Sequence, residues 1–159
     1  MIAMSWSVSN ACNESDPLFK IERSKNENIV QYDACILSNG DLSDSDPVTI
    51  YWILKNGHRE NLSGIEKIFV YGIKFGTRSE KDKVEIFLVA LADRKGIVEK
   101  NDGKYRIVVS INGKESTLEK IYVKSEEEPI GPPEVLYIDL FGRTIAANTP
   151  VQERIVPKH

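Results

Sequence analysis

Apolar and polar residues alternate along most of the chain after its first sixteen residues. Val30 and Tyr32 share one side of an extended segment, and Gln31 lies on the other. A period of two is typical of a β-strand, because successive side chains point to opposite faces. Similar segments recur up to residue 155, and Asn112-Gly113 between two of them is a strong hairpin signal. The pattern predicts about eight or nine strands in an antiparallel β-sandwich or a closed barrel.

The period changes near residue 63. Ser63 and Glu66 have the spacing of a capping box, in which each side chain accepts a hydrogen bond from the other residue's backbone. Apolar residues follow at helical spacing, namely Ile65, Ile68 and Phe69. The sequence therefore predicts one short helix near residues 64–71 that packs these side chains against the sheet. A strand through residues 68–75 is the alternative, because β-branched and aromatic residues favour strands.

The middle of the chain is predicted as a loop followed by a buried strand. Residues 75–82 contain a glycine and several charged side chains, which is typical of a polar loop. Residues 84–91 are almost continuously apolar, so we expect a central strand there.

The first sixteen residues differ from the rest. They lack the basic start and the long apolar run of a signal peptide, and no run of ~18 apolar residues in the sequence could span a membrane. Ser9-Asn10-Ala11-Cys12 has a small residue before a cysteine, as at the end of a lipoprotein signal. We expect residues 1–16 to be a disordered leader or a truncated signal remnant, and residues 17–157 to form one β-rich domain.

The two cysteines have separate expected roles. Cys12 is a candidate for lipidation if the start is truncated, and the protein would then be exported or a lipoprotein; as given, it is expected to be soluble. Cys35 lies in an apolar strand and is expected to be a small core residue. A bond between them would require the leader to fold back.

Composition excludes several functions. Twenty-one Lys and Arg against 24 Asp and Glu give a formal charge of −3, which argues against nucleic acid as a partner. Two Cys and two His are too few for a separate Cys/His zinc site. His58 is the one interior histidine and lies in a turn, so no catalytic residue, metal or cofactor is assigned. We interpret Asp41, Asp44 and Asp46 as a solvated acidic loop.

One polar turn and two tyrosines suggest a ligand site. Arg23, Lys25 and Asn26 are side chains that bind anions and amides, and Tyr51 and Tyr71 could form aromatic walls. The leading hypothesis is a non-enzymatic binding module for a small molecule, glycan or peptide. The sequence does not indicate an oligomeric state.

Two alternatives remain open. A hydrolase-like enzyme could use the carboxylates of Asp33, Glu66 and Asp139, provided that two of them lie within about 10 Å. An envelope-tethered structural or interaction module could be anchored by Cys12 and dock through an exposed strand edge.

Several blocks of the sequence, taken in order, resemble a bacterial family of domains of unknown function, DUF4833. They lie between residues 18 and 157 and include Tyr51-Trp52-Ile53, Ser63-Gly64-Ile65-Glu66, Asp102-Gly103-Lys104-Tyr105, Ile121-Tyr122-Val123 and Glu153-Arg154. The resemblance implies no established activity, cofactor or catalytic residue. It implies export, since many relatives look exported.

Overall fold

The structure is a computed structural model that describes residues 12–158. This part of the chain is mainly β, with eleven strands, one α-helix and a short 3-10 turn. The elements are β1 (Glu14–Arg23), β2 (Ile29–Ile36), β3 (Val48–Ile53), β4 (Arg59–Asn61), α1 (Gly64–Phe69), β5 (Ile73–Glu80), β6 (Lys83–Leu88), the 3-10 turn (Val89–Leu91), β7 (Arg94–Asn101), β8 (Lys104–Ile111), β9 (Lys114–Glu126), β10 (Glu134–Thr144) and β11 (Pro150–Ile155).

All strands belong to one sheet, and β9 is its branch point. The main path runs β4-β3-β2-β1-β9-β8-β7-β6-β5. The first part of β9 pairs with β8, and Lys120 further along pairs with Lys20 of the parallel strand β1. Thr117 and Lys120 also pair with β10, which therefore runs along the other side of β9 and carries β11. The sheet curls into a half-barrel around these strands.

The closed sandwich or barrel predicted from the sequence is wrong. The end strands β4 and β5 do not pair with each other within residues 12–158, so the half-barrel stays open on that side. The sequence pattern does not predict three of the strands, β4, β5 and β7. It predicts a loop over most of β5. β4 is fully exposed and β5 nearly so, and β7 carries many charges, so all three give a weak apolar signal.

The core lies on one face of the curled sheet. It contains the alternate residues that the period of two indicated, such as Ile107, Val109 and Ile111 of β8. Tyr32 of β2 is also buried and stacks on Phe19 of β1, with ring centroids 4.1 Å apart. Full burial of each such side chain stabilises the fold by roughly 1.5–3 kcal/mol.

The helix α1 is present, but the prediction that it packs against the sheet is wrong. Ser63 and Glu66 form the expected capping box. Ile65, Ile68 and Phe69 are nevertheless 71%, 64% and 72% exposed. The buried residues Leu62 and Tyr71 lie just outside the helix and occupy the core in its place, so the intervening residues project from the surface.

A disulfide joins Cys12 to Cys35, so the last residues of the expected leader are ordered beside β2. The backbone N–H of Asn13 donates to Ile36, and β1 begins at Glu14, inside the expected leader. Residues 12–16 thus fold back along β2, and Cys35 is both buried and bridged. The disulfide occupies the Cys12 sulfur, so lipidation there and the bridge exclude each other. The other residues of the expected leader, 1–11, lie outside the described residues.

Across residues 12–158, no helix has the length and apolar character needed to cross a membrane.

Candidate functional site

A cavity of about 310 Å³ opens between β3 and β5 at the open side of the half-barrel. We call it the seam cavity. Its volume lies at the lower end of the range of roughly 300–1,000 Å³ that is usual for ligand pockets. Its walls combine apolar and polar residues, namely Val48, Ile50, Ile73 and Phe75 with Asp46, Thr49, Asn61, Lys67 and Gly72.

Unpaired strand edges flank the seam cavity on both sides. β4 pairs with β3 only through Tyr51–Ile53, so residues 48–50 have no strand neighbour on that side in the described chain. β5 is the last strand of the main path and pairs only with β6 among the described strands. Backbone N–H and C=O groups of both strands therefore border one opening.

One end of the opening is closed by Arg78 of β5. Its guanidinium donates to the carbonyl of Leu42 at 2.7 Å and to that of Ser43 at 2.8 Å. The 42–47 loop leads directly into β3. The first residue of β3 and the last residues of β5 therefore lie at the same end of the opening. The two strands consequently run in opposite directions along the opening.

Two opposite charges lie at the seam cavity. Burial raises the pKa of Asp46, and the nearby Lys67 ammonium lowers it by a smaller amount. The backbone N–H of Asp46 donates to the Ser43 hydroxyl, which fixes this part of the loop. A carboxyl and an ammonium beside apolar walls can bind a ligand that carries both polar and apolar groups.

The structure brings together three of the five predicted ligand-binding residues. Arg23 donates to Asn26 Oδ1 at 2.9 Å and approaches the Tyr71 hydroxyl at 3.5 Å. Its guanidinium carbon lies 4.6 Å from the ring centroid of Trp52, whose Nε1–H donates to Glu66 at 3.3 Å. These contacts connect β1 and β3 to α1 and hold the base of the helix.

The Glu66 carboxylate is charged in this arrangement. Burial alone would raise the pKa of Glu66, but hydrogen bonds from Ser63 and Trp52, together with the charge of Arg23, lower it. The ionised Glu66 therefore serves as an acceptor that anchors α1 to β3.

Tyr51 and Lys25 do not join this group. Tyr51 precedes Trp52 on β3, so its side chain points to the opposite face of the sheet. Its hydroxyl donates to Asp33 at 2.6 Å, and Arg59 lies over its ring. Burial, aided by Asp33, raises the pKa of Tyr51 to about 12. Lys25 is exposed on the turn. The five residues therefore form no common pocket, and ligand binding by Arg23 and Asn26 stays a prediction.

The carboxylates named for a hydrolase each have separate partners. Asp33 accepts from Tyr51 and from Gln31, and Glu66 accepts from Trp52. Asp139 accepts two bonds from Arg154, at 2.8 and 2.9 Å, which hold the pKa of Asp139 below its usual range.

The sheet register also separates Asp33 from Asp139. Asp33 lies opposite Pro17 of β1. Asp139 lies opposite Tyr122 of β9, and Tyr122 lies opposite Glu22 of β1. The two carboxylates are therefore aligned with positions of β1 that are five residues apart. Five residues along a strand span roughly 16 Å, which exceeds the ~5–9.5 Å of a glycosidase carboxylate pair. This geometry does not support a shared catalytic site for the two residues.

The sequence interpretation missed the residues of the seam cavity. The sequence pattern predicts a solvated loop at Asp46 and a polar loop at Phe75, and Lys67 carries no signal of its own. Their proximity depends on the curl of the whole sheet, which no local pattern encodes. Within residues 12–158, no group of three His, Cys, Asp or Glu side chains could hold a metal ion.

Comparison with known proteins identifies the family of this chain. No curated protein and no solved structure matches the chain. Residues 19–154 match a domain of unknown function (DUF4833). The match covers most of the chain and includes β3, α1 and β5 around the seam cavity. The chain therefore belongs to the DUF4833 family.

Proposed function

We propose that this protein is a non-enzymatic binding module and that the seam cavity is its ligand site. The observation that carries the proposal is one cavity in which apolar walls meet two opposite charges. Ile50 and Phe75 provide apolar surface, and Asp46 and Lys67 provide the charges. Such a combination gives affinity through burial and orientation through polar contacts. The ligand class is a small molecule, a glycan or a peptide.

A thermal-shift screen with two matched charge reversals tests the location of the site. The ligands are amino acids, short peptides, simple sugars and organic acids. Lys67→Glu changes the seam cavity, and Lys25→Glu makes the same change on the predicted Arg23 turn. A ligand present at 100 times its Kd stabilises the folded state by about 2.7 kcal/mol, which is a measurable shift in Tm. We expect at least one ligand to raise the Tm of wild type and Lys25→Glu but not of Lys67→Glu.

The reverse result would contradict the proposed site. If Lys25→Glu abolishes the shift and Lys67→Glu keeps it, the ligand binds at the Arg23 cluster. If both variants retain the shift, the ligand binds elsewhere. If no ligand class shifts the Tm of the wild type, the binding function itself is contradicted.

A further inference from the structure

We propose that the ligand of the seam cavity is an extended peptide segment of a partner protein, which adds a strand along β5 and residues 48–50. This inference rests on the proposed function and specifies its ligand. Strand addition supplies affinity through backbone hydrogen bonds and specificity through alternate side chains.

The position of the cavity in the sheet is the first argument. Both ends of the main path of the sheet lie at the seam cavity. β3 and β4 border the cavity on one side, and β5 borders it on the other. A strand placed there would pair with edges from both ends of the path. Because β3 and β5 run in opposite directions, the added strand would be antiparallel to one and parallel to the other. It would close the half-barrel.

The available length is the second argument. Residues 73–77 of β5 lie between Gly72, where α1 has ended, and Arg78, which closes the seam. Five residues of strand span roughly 16 Å, enough for a short peptide segment to form a ladder.

The composition of the edges is the third argument. Exposed strand edges are usually protected from pairing by charged residues or proline. β4 carries Arg59 and Glu60 at its edge, and β11 carries Pro150. Residues 48–50 have the sequence Val-Thr-Ile, without charge or proline.

β5 offers a second unpaired edge. Phe75, in the middle of residues 73–77, is 49% exposed. Lys74 is the charged residue of this segment, and its ammonium is engaged by Asp93 at 2.9 Å. Residues 48–50 and 73–77 thus carry no proline, and their one charged side chain, Lys74, is held in an ion pair.

The cavity also indicates the chemistry of the peptide. In an extended peptide, every second side chain points to the same side. Ile50, Ile73 and Phe75 would contact an apolar side chain of the inserted segment. Asp46 and Lys67 would contact polar groups at its border. We therefore expect a segment that alternates apolar and polar residues.

Selection from a random library of phage-displayed dodecapeptides tests the inference on the full chain. An enriched peptide is synthesised in two forms, unmodified and with N-methyl groups at alternate residues, which remove backbone donors but keep the side chains. We expect the unmodified peptide to slow amide hydrogen exchange at residues 48–50 and 73–77. We expect the methylated form to bind at least tenfold more weakly.

A pair of variants tests the contribution of the cavity wall. Phe75→Ala removes an exposed ring at the edge and should weaken binding at least tenfold. Ile130→Ala is the matched control, because Ile130 is 93% exposed in the loop before β10, and it should bind as wild type does. Circular dichroism and Tm verify that both variants fold.

Four results would overturn the inference. They are the absence of any enriched peptide, equal binding of the methylated form, exchange protection confined to residues 65–70 of the α1 region, and self-association that protects the seam amides without peptide. The last result would assign the seam to a second copy of the chain. A small ligand that depends on Lys67, with no peptide binding, would leave the proposed function intact and refute only the peptide.

Discussion

Gly72 sets the distance between α1 and the first residue of β5. A Cβ atom at this position would lie 1.5 Å from the carbonyl oxygen of Lys67, which belongs to the helix backbone. Backbone cannot move aside as a flexible side chain can. The preceding residue, Tyr71, is buried against Trp52, and its carbonyl accepts from the Tyr32 hydroxyl. Any side chain at position 72 must therefore displace α1 or the Tyr71 anchor.

Gly72→Ala should reduce the free energy of unfolding by about 1–3 kcal/mol, the usual cost of overpacking. Urea unfolding measures the loss, and a changed tryptophan spectrum would report the displaced Tyr71 beside Trp52. Gly64→Ala is the control, since nothing lies within 4 Å of its added Cβ and alanine favours helices. Equal stability of the two variants would contradict the role of Gly72.

Glu153 connects β11 to the strands of the other branch. It accepts two bonds from Arg94 of β7, at 2.9 and 2.8 Å, and one from the backbone of Asn112 at 2.6 Å. The hydrogen bonds from Arg94 outweigh partial burial and lower the pKa of Glu153. A carboxylate whose pKa falls on folding stabilises the protein above its unfolded pKa of about 4.3. That stabilisation disappears as the pH falls through the folded pKa.

Glu153→Gln should therefore be less stable than wild type at pH 7, and the difference should shrink as the pH falls below about 4. Urea titrations across this range measure it. Glu119→Gln removes an exposed carboxylate 3.9 Å from Arg143 and should change stability little at any pH, as is usual for surface pairs. A difference for Glu153→Gln that is constant with pH would exclude the charge as its cause.

At the scale of elements, the disulfide fixes the start of β1 to the end of β2. Replacing Cys12 and Cys35 by serine should lower the free energy of unfolding by about 3 kcal/mol, because the bridge closes a loop over a separation of 23 residues. Urea unfolding measures the loss. Wild type treated with a reductant should unfold like the double variant, and an unchanged transition after reduction would show that the bridge does not form.

Local sequence patterns predicted which elements form better than they predicted what each element packs against. The hairpin at Asn112-Gly113 and the capping box of α1 depend on residues close in sequence, and both are present. Whether α1 packs against the sheet depends on residues outside the helix. Helical spacing alone could not show that Tyr71, and not the apolar residues of α1, would be buried in the core. β5 was missed because it is largely exposed and so lacks alternate buried residues.

At the scale of the whole molecule, the sequence predicted the β class and the general composition of the core. The open half-barrel could not be predicted, because it depends on β9 pairing with both β8 and the distant β1. The same limit applies to the site. Asp46, Lys67 and Phe75 meet only when the sheet has curled, whereas Arg23 and Asn26, three residues apart, were recognised together.

The pairing of β1 with β9 has a consequence for synthesis of the chain on the ribosome. Lys20 lies opposite Lys120, so β1 cannot pair with β9 until 100 more residues have been made. At about 5–20 residues per second, the inner edge of β1 stays open for roughly 5–20 s. During that time β1 pairs with β2 alone, and the strands β1 to β4 can form a small antiparallel sheet that ends at this unpaired edge. The nascent chain therefore exposes an unpaired strand edge beside apolar side chains such as Phe19 and Ile21, and its yield should depend on chaperones until β9 emerges.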